Sequence, residues 1–403
     1  MMNRPRPKIL LVTTRNLSTP TGEWRLIANR STALRSAFEI RTDVLYLRPH
    51  SSSLTLFNPS LWADDVFTVP FSNRLDRRLC CSLLEVRRHI TRWLSRNANG
   101  SVVISGFQLY LAPLGIPKDH MIIDLHGTLC EWVDGSGRTQ RDRMLRVAYP
   151  IVALAERRAL KGTRGALVVS TQLATYAAAQ GACNVWKIPC GVLRSSVVLD
   201  PIGARNKWRK RLSIPADATT FVYSGGLSKW QCVREAVQLF GRVREKWPRK
   251  CRMVIMTPRI DALSKLIAGL DESEITVSSV SAEEIGYALC ACDIGLLLRD
   301  DNSTNRNAFP NKLAEYIAAG LFVITSQGLK DPSEVVLRHR IGVLIDPREV
   351  RESLTQSRTG FLIDSYRAHE TQRESGARAG AAALDEVTME HLVGPFARGL
   401  VAG

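Results

Sequence analysis

Short apolar runs, bounded by glycine, proline and polar residues, alternate along the chain with longer stretches whose apolar positions recur every three or four residues. That alternation of strand-like and helical period predicts doubly wound α/β structure throughout. Strands are expected at 8–13, 42–47, 102–105, 121–125, 166–170 and 185–188 in the first half. After Pro189-Cys190-Gly191-Val192 a polar stretch through Arg211 reads as a linker. A second series follows at 220–223, 253–256, 275–277, 294–298, 322–325 and 342–345. At 403 residues the chain exceeds the size at which single cores stop growing. The expectation is therefore two Rossmann-like domains, 1–195 and 196–370, facing each other across a cleft, with ligands outside the carboxyl ends of the strands.

Charge suggests an anionic partner. Lys and Arg number 55 against 38 Asp and Glu, a formal charge of +17. Between Arg74 and Arg96 the residues Leu79, Leu83, Val86, Ile90 and Trp93 recur at spacings of four and three. Arg74, Arg77, Arg78, Arg87, Arg88, Arg92 and Arg96 surround them, the pattern of an amphipathic basic helix. Two readings stay open: a core-facing stripe with solvated arginines, or a face for an anionic membrane surface. The basic runs Arg205 to Arg211, around Trp208, and Arg249 to Arg252 read as solvated faces. No aromatic-studded sheet motif, zinc-finger spacing or basic zipper appears, so nucleic acid is not an expected partner.

The nine cysteines include adjacent Cys80-Cys81 and the Cys290-Ala291-Cys292 pair, in neither zinc nor disulfide-framework spacing. A reducing cytoplasm fits. The basic start is followed only by Ile9-Leu10-Leu11-Val12, too short for a signal-peptide core. No stretch approaches the roughly 18 apolar residues of a spanning helix. The expected location is cytoplasmic, soluble or peripheral on the inner face of the membrane.

The chemistry concentrates in Phe309-Pro310-Asn311-Lys312-Leu313-Ala314-Glu315-Tyr316-Ile317-Ala318-Ala319-Gly320, followed by Leu321-Phe322-Val323-Ile324-Thr325. This reads as a helix with Pro310 near N1 and Gly320 at its stop, running into a buried strand. Lys312 falls in the first turn, where the macrodipole disfavours a cation. A lysine there either is simply solvated or, with free N–H groups, grips a phosphate or diphosphate. Glu315, on the same face, could then hold a ribose. A second candidate phosphate element is the strand Phe221-Val222-Tyr223-Ser224 ending in Gly225-Gly226, with Lys229 close behind. The glycines permit close backbone approach and the lysine is a point charge. In the first half, the strand Met121-Ile122-Ile123-Asp124-Leu125 runs into His126-Gly127, a histidine either catalytic or merely capping a loop. Glu131 and Asp134 are candidate bases or plain surface acids. Asp300-Asp301 read as loop acids rather than metal ligands.

The segment Arg299-Asp300-Asp301-Asn302 through Phe309–Gly320 resembles the donor-site segment of retaining glycosyltransferases of the GT-B fold, the large family four of bacterial polysaccharide synthesis. The resemblance implies a glycosyltransferase moving a sugar from a nucleotide-diphosphate sugar to a glycan or lipid-linked acceptor, without cofactor or metal. It implies donor contacts from Gly225, Gly226, Asn307, Pro310, Asn311 and Leu313, with Glu315 on the ribose. It places His126 near the transferred sugar and Thr14, Arg15 and Gly22, in the loop after the first strand, beside the acceptor. It also implies that residues 371–403 return to the first domain. Departing negative charge on the nucleoside diphosphate would be stabilised by Lys229, Lys312 and Arg299. The chain departs from the family pattern at three places. Asn307 stands where many relatives carry a first glutamate, Gly226 occupies an arginine position with Lys229 arriving early, and paired glycines are absent from the loop 13–24. Arg299 is the expected substitute for the missing cation. A GT-B sugar-nucleotide epimerase and a non-catalytic polyanion-binding scaffold are the alternatives.

Overall fold

The computed structural model describes residues 7–19, 21–49, 58–71, 77–106, 116–128, 140–263, 267, 274–374 and 379–402. Arg74, Glu131 and Asp134 lie outside them. The chain forms two compact units, Met1–Leu193 with Met389–Gly403, and Arg194–Thr388.

The first unit is built on a seven-stranded sheet of order β3-β2-β1-β4-β5-β6-β7. The strands are β1 (Lys8–Thr13), β2 (Arg41–Pro49), β3 (Val66–Phe71), β4 (Ser101–Ser105), β5 (Met121–Leu125), β6 (Gly165–Val168) and β7 (Val185–Lys187). Every pairing is parallel, with Leu11 opposite both Val44 and Val103. β4 and β5 are buried end to end, as central strands covered on both faces must be. The strand missing from the sequence expectation is β3. It is an edge strand carrying Pro70 and exposing Val66 and Phe67, so it lacks the continuous apolar run of its neighbours.

Two helices of this unit pack on its strands β2 and β3. Helix α1 (Gly22–Phe38) is capped by Thr21, whose side chain accepts from Trp24 N at 3.3 Å. Helix α2 (Arg77–Arg96) is the basic amphipathic segment. Its Val86, Ile90 and Trp93 are buried, and Trp93 Nε1 donates to Asp43 Oδ2 at 2.7 Å, while Arg87, Arg88, Arg92 and Arg96 are exposed. The apolar stripe is therefore a core contact. Among the described residues no helix is long and apolar enough to cross a membrane.

The second unit holds a six-stranded parallel sheet of order β10-β9-β8-β11-β12-β13. Its strands are β8 (Thr219–Ser224), β9 (Cys251–Met256), β10 (Ile275–Ser278), β11 (Ile294–Leu297), β12 (Phe322–Thr325) and β13 (Gly342–Leu344). Phe221 packs edge-on against Phe240 and Trp247, with ring centroids 5.5 and 5.1 Å apart, anchoring one face of the core. In each sheet the strand order reverses beside the first strand, between β1 and β4 and between β8 and β11. The carboxyl ends at such a reversal leave a crevice for ligands.

Two expectations change here. The stretch ending at Arg211 is not linker throughout: Pro201–Arg211 is a helix, with Pro201 at its first turn and Asp200 accepting from Gly203 N at 2.9 Å. Nor is its basic run a solvated face. Trp208 and Arg209 are buried, Arg205 pairs with Asp293 at 2.8 Å, and Arg209 donates to Ala291 O at 3.3 Å. The helices Gln356–Glu374 and Ala379–Val387 stay with the second unit, the latter packed on the Asn311–Ala318 helix. The tail from Met389 is grouped with the first unit, where Met389 N donates to Val192 O at 2.8 Å.

Candidate functional site

In the second unit β8 is buried along its whole length and ends at Gly225, whose φ of +124° favours glycine. The helix Asn311–Ala318 is fixed beside it by Tyr316. That ring is fully buried over Gly295, where any side chain would collide with it, and its hydroxyl accepts from Ser224 N at 3.1 Å. Pro310 is the N-cap rather than the first helical residue. At the other end Leu321 N reaches Tyr316 O and Gly320 N reaches Ile317 O, both at 3.0 Å, with Gly320 at φ +69°, a Schellman stop.

Lys312, half-buried in the first turn, turns back from this helix onto Gly225. A Cβ on Gly225 would lie 2.5 Å from Lys312 Cε and 2.9 Å from Nζ. Nζ donates to the Tyr223 hydroxyl at 2.9 Å and to Gln231 Oε1 at 2.5 Å, and sits 4.1 Å from the Tyr223 ring centroid. The Tyr223 hydroxyl is also 2.7 Å from Gln231 Oε1 and lies against Gly226 O. Burial, and then the Arg299 charge, push Lys312 well below its ordinary pKa; Glu315 opposes them. Arg299 is only 6% exposed, its own charge disfavoured by burial, with Nη1 donating to Leu298 O at 3.2 Å. Among the described residues neither Lys312 nor Arg299 makes an ion pair. Two basic side chains with no ion pair among the described residues, at the switch point of the sheet, suit an incoming anion.

The other expected donor residues fall around this pair in different ways. Asn311 and Glu315 are half-buried on the helix, whereas Leu313 is fully buried and seats the helix instead of offering a ligand contact. Asn307, 9% exposed, ends the short helix Ser303–Arg306. Lys229 lies in the turn Lys229–Gln231, and its side chain is outside the described residues. Asp300 pairs with Arg351 at 2.5 Å and Asp301 with Arg306 at 2.6 Å, so each acid already faces an arginine. Among the described residues no group of three or more His, Cys, Asp or Glu is arranged to hold a metal.

In the first unit His126 Nε2 lies 2.8 Å from Asp124 Oδ2, and Asp124 Oδ1 accepts from Arg30 Nη1 at 2.9 Å. Arg30 in turn donates to Ile188 O at 2.5 Å. Burial alone would raise the Asp124 pKa, but His126 and Arg30 outweigh it and hold the carboxyl well below its usual range. Burial and the Arg15 charge lower His126, with Asp124 opposing. A neutral imidazole donating Nε2–H to Asp124 leaves Nδ1 as its acceptor nitrogen. At the β1/β4 reversal Arg15 Nε donates to Ser105 Oγ at 3.0 Å and the guanidinium pairs with Glu23. Gly106, at φ +125°, gives Thr14 Oγ1 the room a side chain would take. Gly22 opens α1 directly after its cap.

Residues 218–362, from β8 through the Lys312 helix and beyond, match the family described as glycosyl transferases group 1. The second unit is a glycosyl transferases group 1 domain, and the protein is a glycosyltransferase.

No curated protein sequence matches this glycosyltransferase. Solved structures do match its fold. Sucrose-phosphate synthase from Thermosynechococcus elongatus is 16% identical, with 98% of this chain and 100% of that one covered at a TM-score of 0.69. A glycosyltransferase from Rickettsia africae is 12% identical, with coverage of 98% and 99% and a TM-score of 0.67. HepE from Anabaena, in complex with UDP and glucose, is 15% identical, with coverage of 98% and 100% and a TM-score of 0.65. At these identities the likeness is one of fold, the two-domain GT-B architecture.

Sequence reasoning overlooked Tyr223, Gln231, Asp124 and Arg30 in this glycosyltransferase. Asp124 did carry a signal: a carboxylate inside the apolar run Met121–Leu125 needs a buried partner. Tyr223 alternates with Phe221 and reads as ordinary core, and nothing local marks Gln231.

Proposed function

We propose that the protein transfers a sugar from a nucleotide-diphosphate sugar to a glycan or lipid-linked acceptor in polysaccharide synthesis, with retention and without a metal ion. The observation that carries this reading is the Lys312–Arg299 pair: two basic side chains at the carboxyl ends of β8 and β11, with no ion pair of their own among the described residues. Negative charge grows on the departing nucleoside diphosphate as the glycosidic bond breaks, so fixed cations stabilise the transition state more than the ground state. The complexes of the fold neighbour HepE with UDP and glucose and with UDP-glucose support a nucleotide-sugar donor. Glu315, on the same helix face as Lys312, is assigned to the donor ribose. In the first unit His126, steered by Asp124, is assigned to the sugar, and Thr14, Arg15 and Gly22 to the acceptor side. The pairing of Asp300 and Asp301 with arginines supports a reaction that needs no metal there. Peripheral attachment to an anionic membrane through the exposed arginines of α2 would bring the enzyme to a lipid-linked acceptor.

A panel of nucleotide sugars, with mass-spectrometric detection of transfer and determination of the product anomer, tests this reading. Acceptor-dependent transfer with the donor anomer kept is the expected result. Turnover of a nucleotide sugar without acceptor would replace it with an epimerase. Failure of the whole panel to bind would favour a polyanion-binding scaffold.

A further inference from the structure

The family-like loop after β8 lacks an arginine at Gly226, yet a basic side chain stands beside the neighbouring Gly225 all the same. It arrives from another element: Lys312 crosses from its helix to Gly225 and is held by two side chains of the β8 segment, the Tyr223 hydroxyl at 2.9 Å and Gln231 Oε1 at 2.5 Å. Both acceptors are neutral oxygens, and each also touches the other at 2.7 Å. Gln231 N donates to Ser228 O at 2.8 Å, closing the turn that carries it, and Cys232, the next residue, takes a left-handed φ of +46° at the start of the helix Val233–Arg244. Non-glycine residues adopt that conformation at a cost of about 1–2 kcal/mol.

We propose that Tyr223 and Gln231 are positioning residues, which hold the Lys312 amine over the glycine loop without neutralising it and so present it to the diphosphate of the donor. The proposal rests on the donor-site reading above and adds a consequence to it: anion binding draws a proton onto Lys312. The charged and titratable groups around Lys312 are Tyr223 on β8, Arg299 after β11, and Glu315 and Tyr316 on its own helix, with Cys232 beside Arg299. Burial pushes both tyrosines up and Cys232 up to about 12, so these keep their protons, and a guanidinium keeps its charge. Lys312 is pushed the other way by burial and Arg299, and a diphosphate reverses that push. Above the free-state pKa of Lys312, binding takes up a proton and affinity falls as pH rises.

Calorimetric titration of the full-length protein with UDP, at a series of alkaline pH values in buffers of differing ionisation enthalpy, measures this uptake. Such pH values clear the phosphate's own pKa near 6. The wild type should take up a fraction of a proton, and Gln231→Leu and Tyr223→Phe should each weaken UDP on the order of 10-fold, as loss of one charged-group hydrogen bond does. Gln231→Glu should abolish the uptake, because a carboxylate beside Lys312 charges it beforehand. Thermal midpoints and far-UV circular dichroism of each variant separate this from unfolding. UDP binding with proton uptake equal in folded wild type, Gln231→Leu and Gln231→Glu would overturn the positioning role alone. No UDP binding by the wild type would overturn the donor reading and this proposal together.

Discussion

Gly225 and Lys312, on different elements of the second unit, share one space: a Cβ added to the glycine would stand 2.5 Å from the lysine Cε. The glycine is thus needed twice, for its φ of +124° and for the lysine that crosses it. Gly225→Ala should destabilise the protein by about 1–3 kcal/mol, through backbone strain and displacement of a packed side chain. Scanning calorimetry should show a lowered second-unit transition, and donor turnover should fall with it. An unchanged midpoint and rate would mean that Lys312 has another resting place.

Lys312→Ala and Glu315→Ala should each disable donor use while the protein stays folded. Removing the lysine deletes an electrostatic group facing the leaving diphosphate, an effect on the order of 10²-fold in turnover by comparison with other such groups. Steady-state rates with a nucleotide sugar check both, and near-normal turnover in the two variants would end the assignment.

Activity should survive excess chelator. Asp300 and Asp301 are each engaged by an arginine, and the cations at the β8 and β11 ends are side chains. A complete loss restored by magnesium would instead recruit these acids as metal ligands.

Asp124→Asn should destabilise the first unit strongly. It leaves Arg30, 6% exposed, without its carboxylate, and breaking one half of a buried pair costs about 3–5 kcal/mol. The sign with pH follows from the lowered Asp124 pKa. A carboxylate held below its unfolded value of 3.8 stabilises above that value, and the contribution drains away as pH falls further. Acid titration followed by circular dichroism should show a steeper loss in the wild type than in the variant below about pH 4; parallel curves would contradict it.

Helix α2 offers Arg87, Arg88 and Arg92 to solvent while its apolar stripe is spent on the core. Membrane attachment through it would be electrostatic, about 1 kcal/mol for each basic residue, and screened by salt. In vesicle sedimentation, binding should rise with anionic lipid, fall at high salt, and drop in the triple variant Arg87→Glu, Arg88→Glu, Arg92→Glu. Equal binding to neutral vesicles, or none to either, would leave α2 as a core helix with solvated arginines.

What could be read from the chain was whatever depends on neighbours in sequence. Twelve of the thirteen described strands announced themselves by apolar runs, the Lys312 helix by Pro310 and Gly320, and the paired sheets by the repetition of both periods. An edge strand with Pro70 and a short helix behind Asp200-Pro201 were harder, because each breaks or hides its period with polar residues.

Tertiary structure alone decided who meets whom. Lys312 is bonded to Tyr223 and Gln231 across 89 and 81 positions, and Arg30 to Asp124 across 94. Those pairings arise because parallel sheets bring the carboxyl ends of strands from distant parts of the chain to one edge. The same burial that drives the sheets together turns a lysine, an arginine and a carboxylate into groups whose charge depends on their neighbours. A residue's type is local, but its desolvation and its partner are properties of the folded chain.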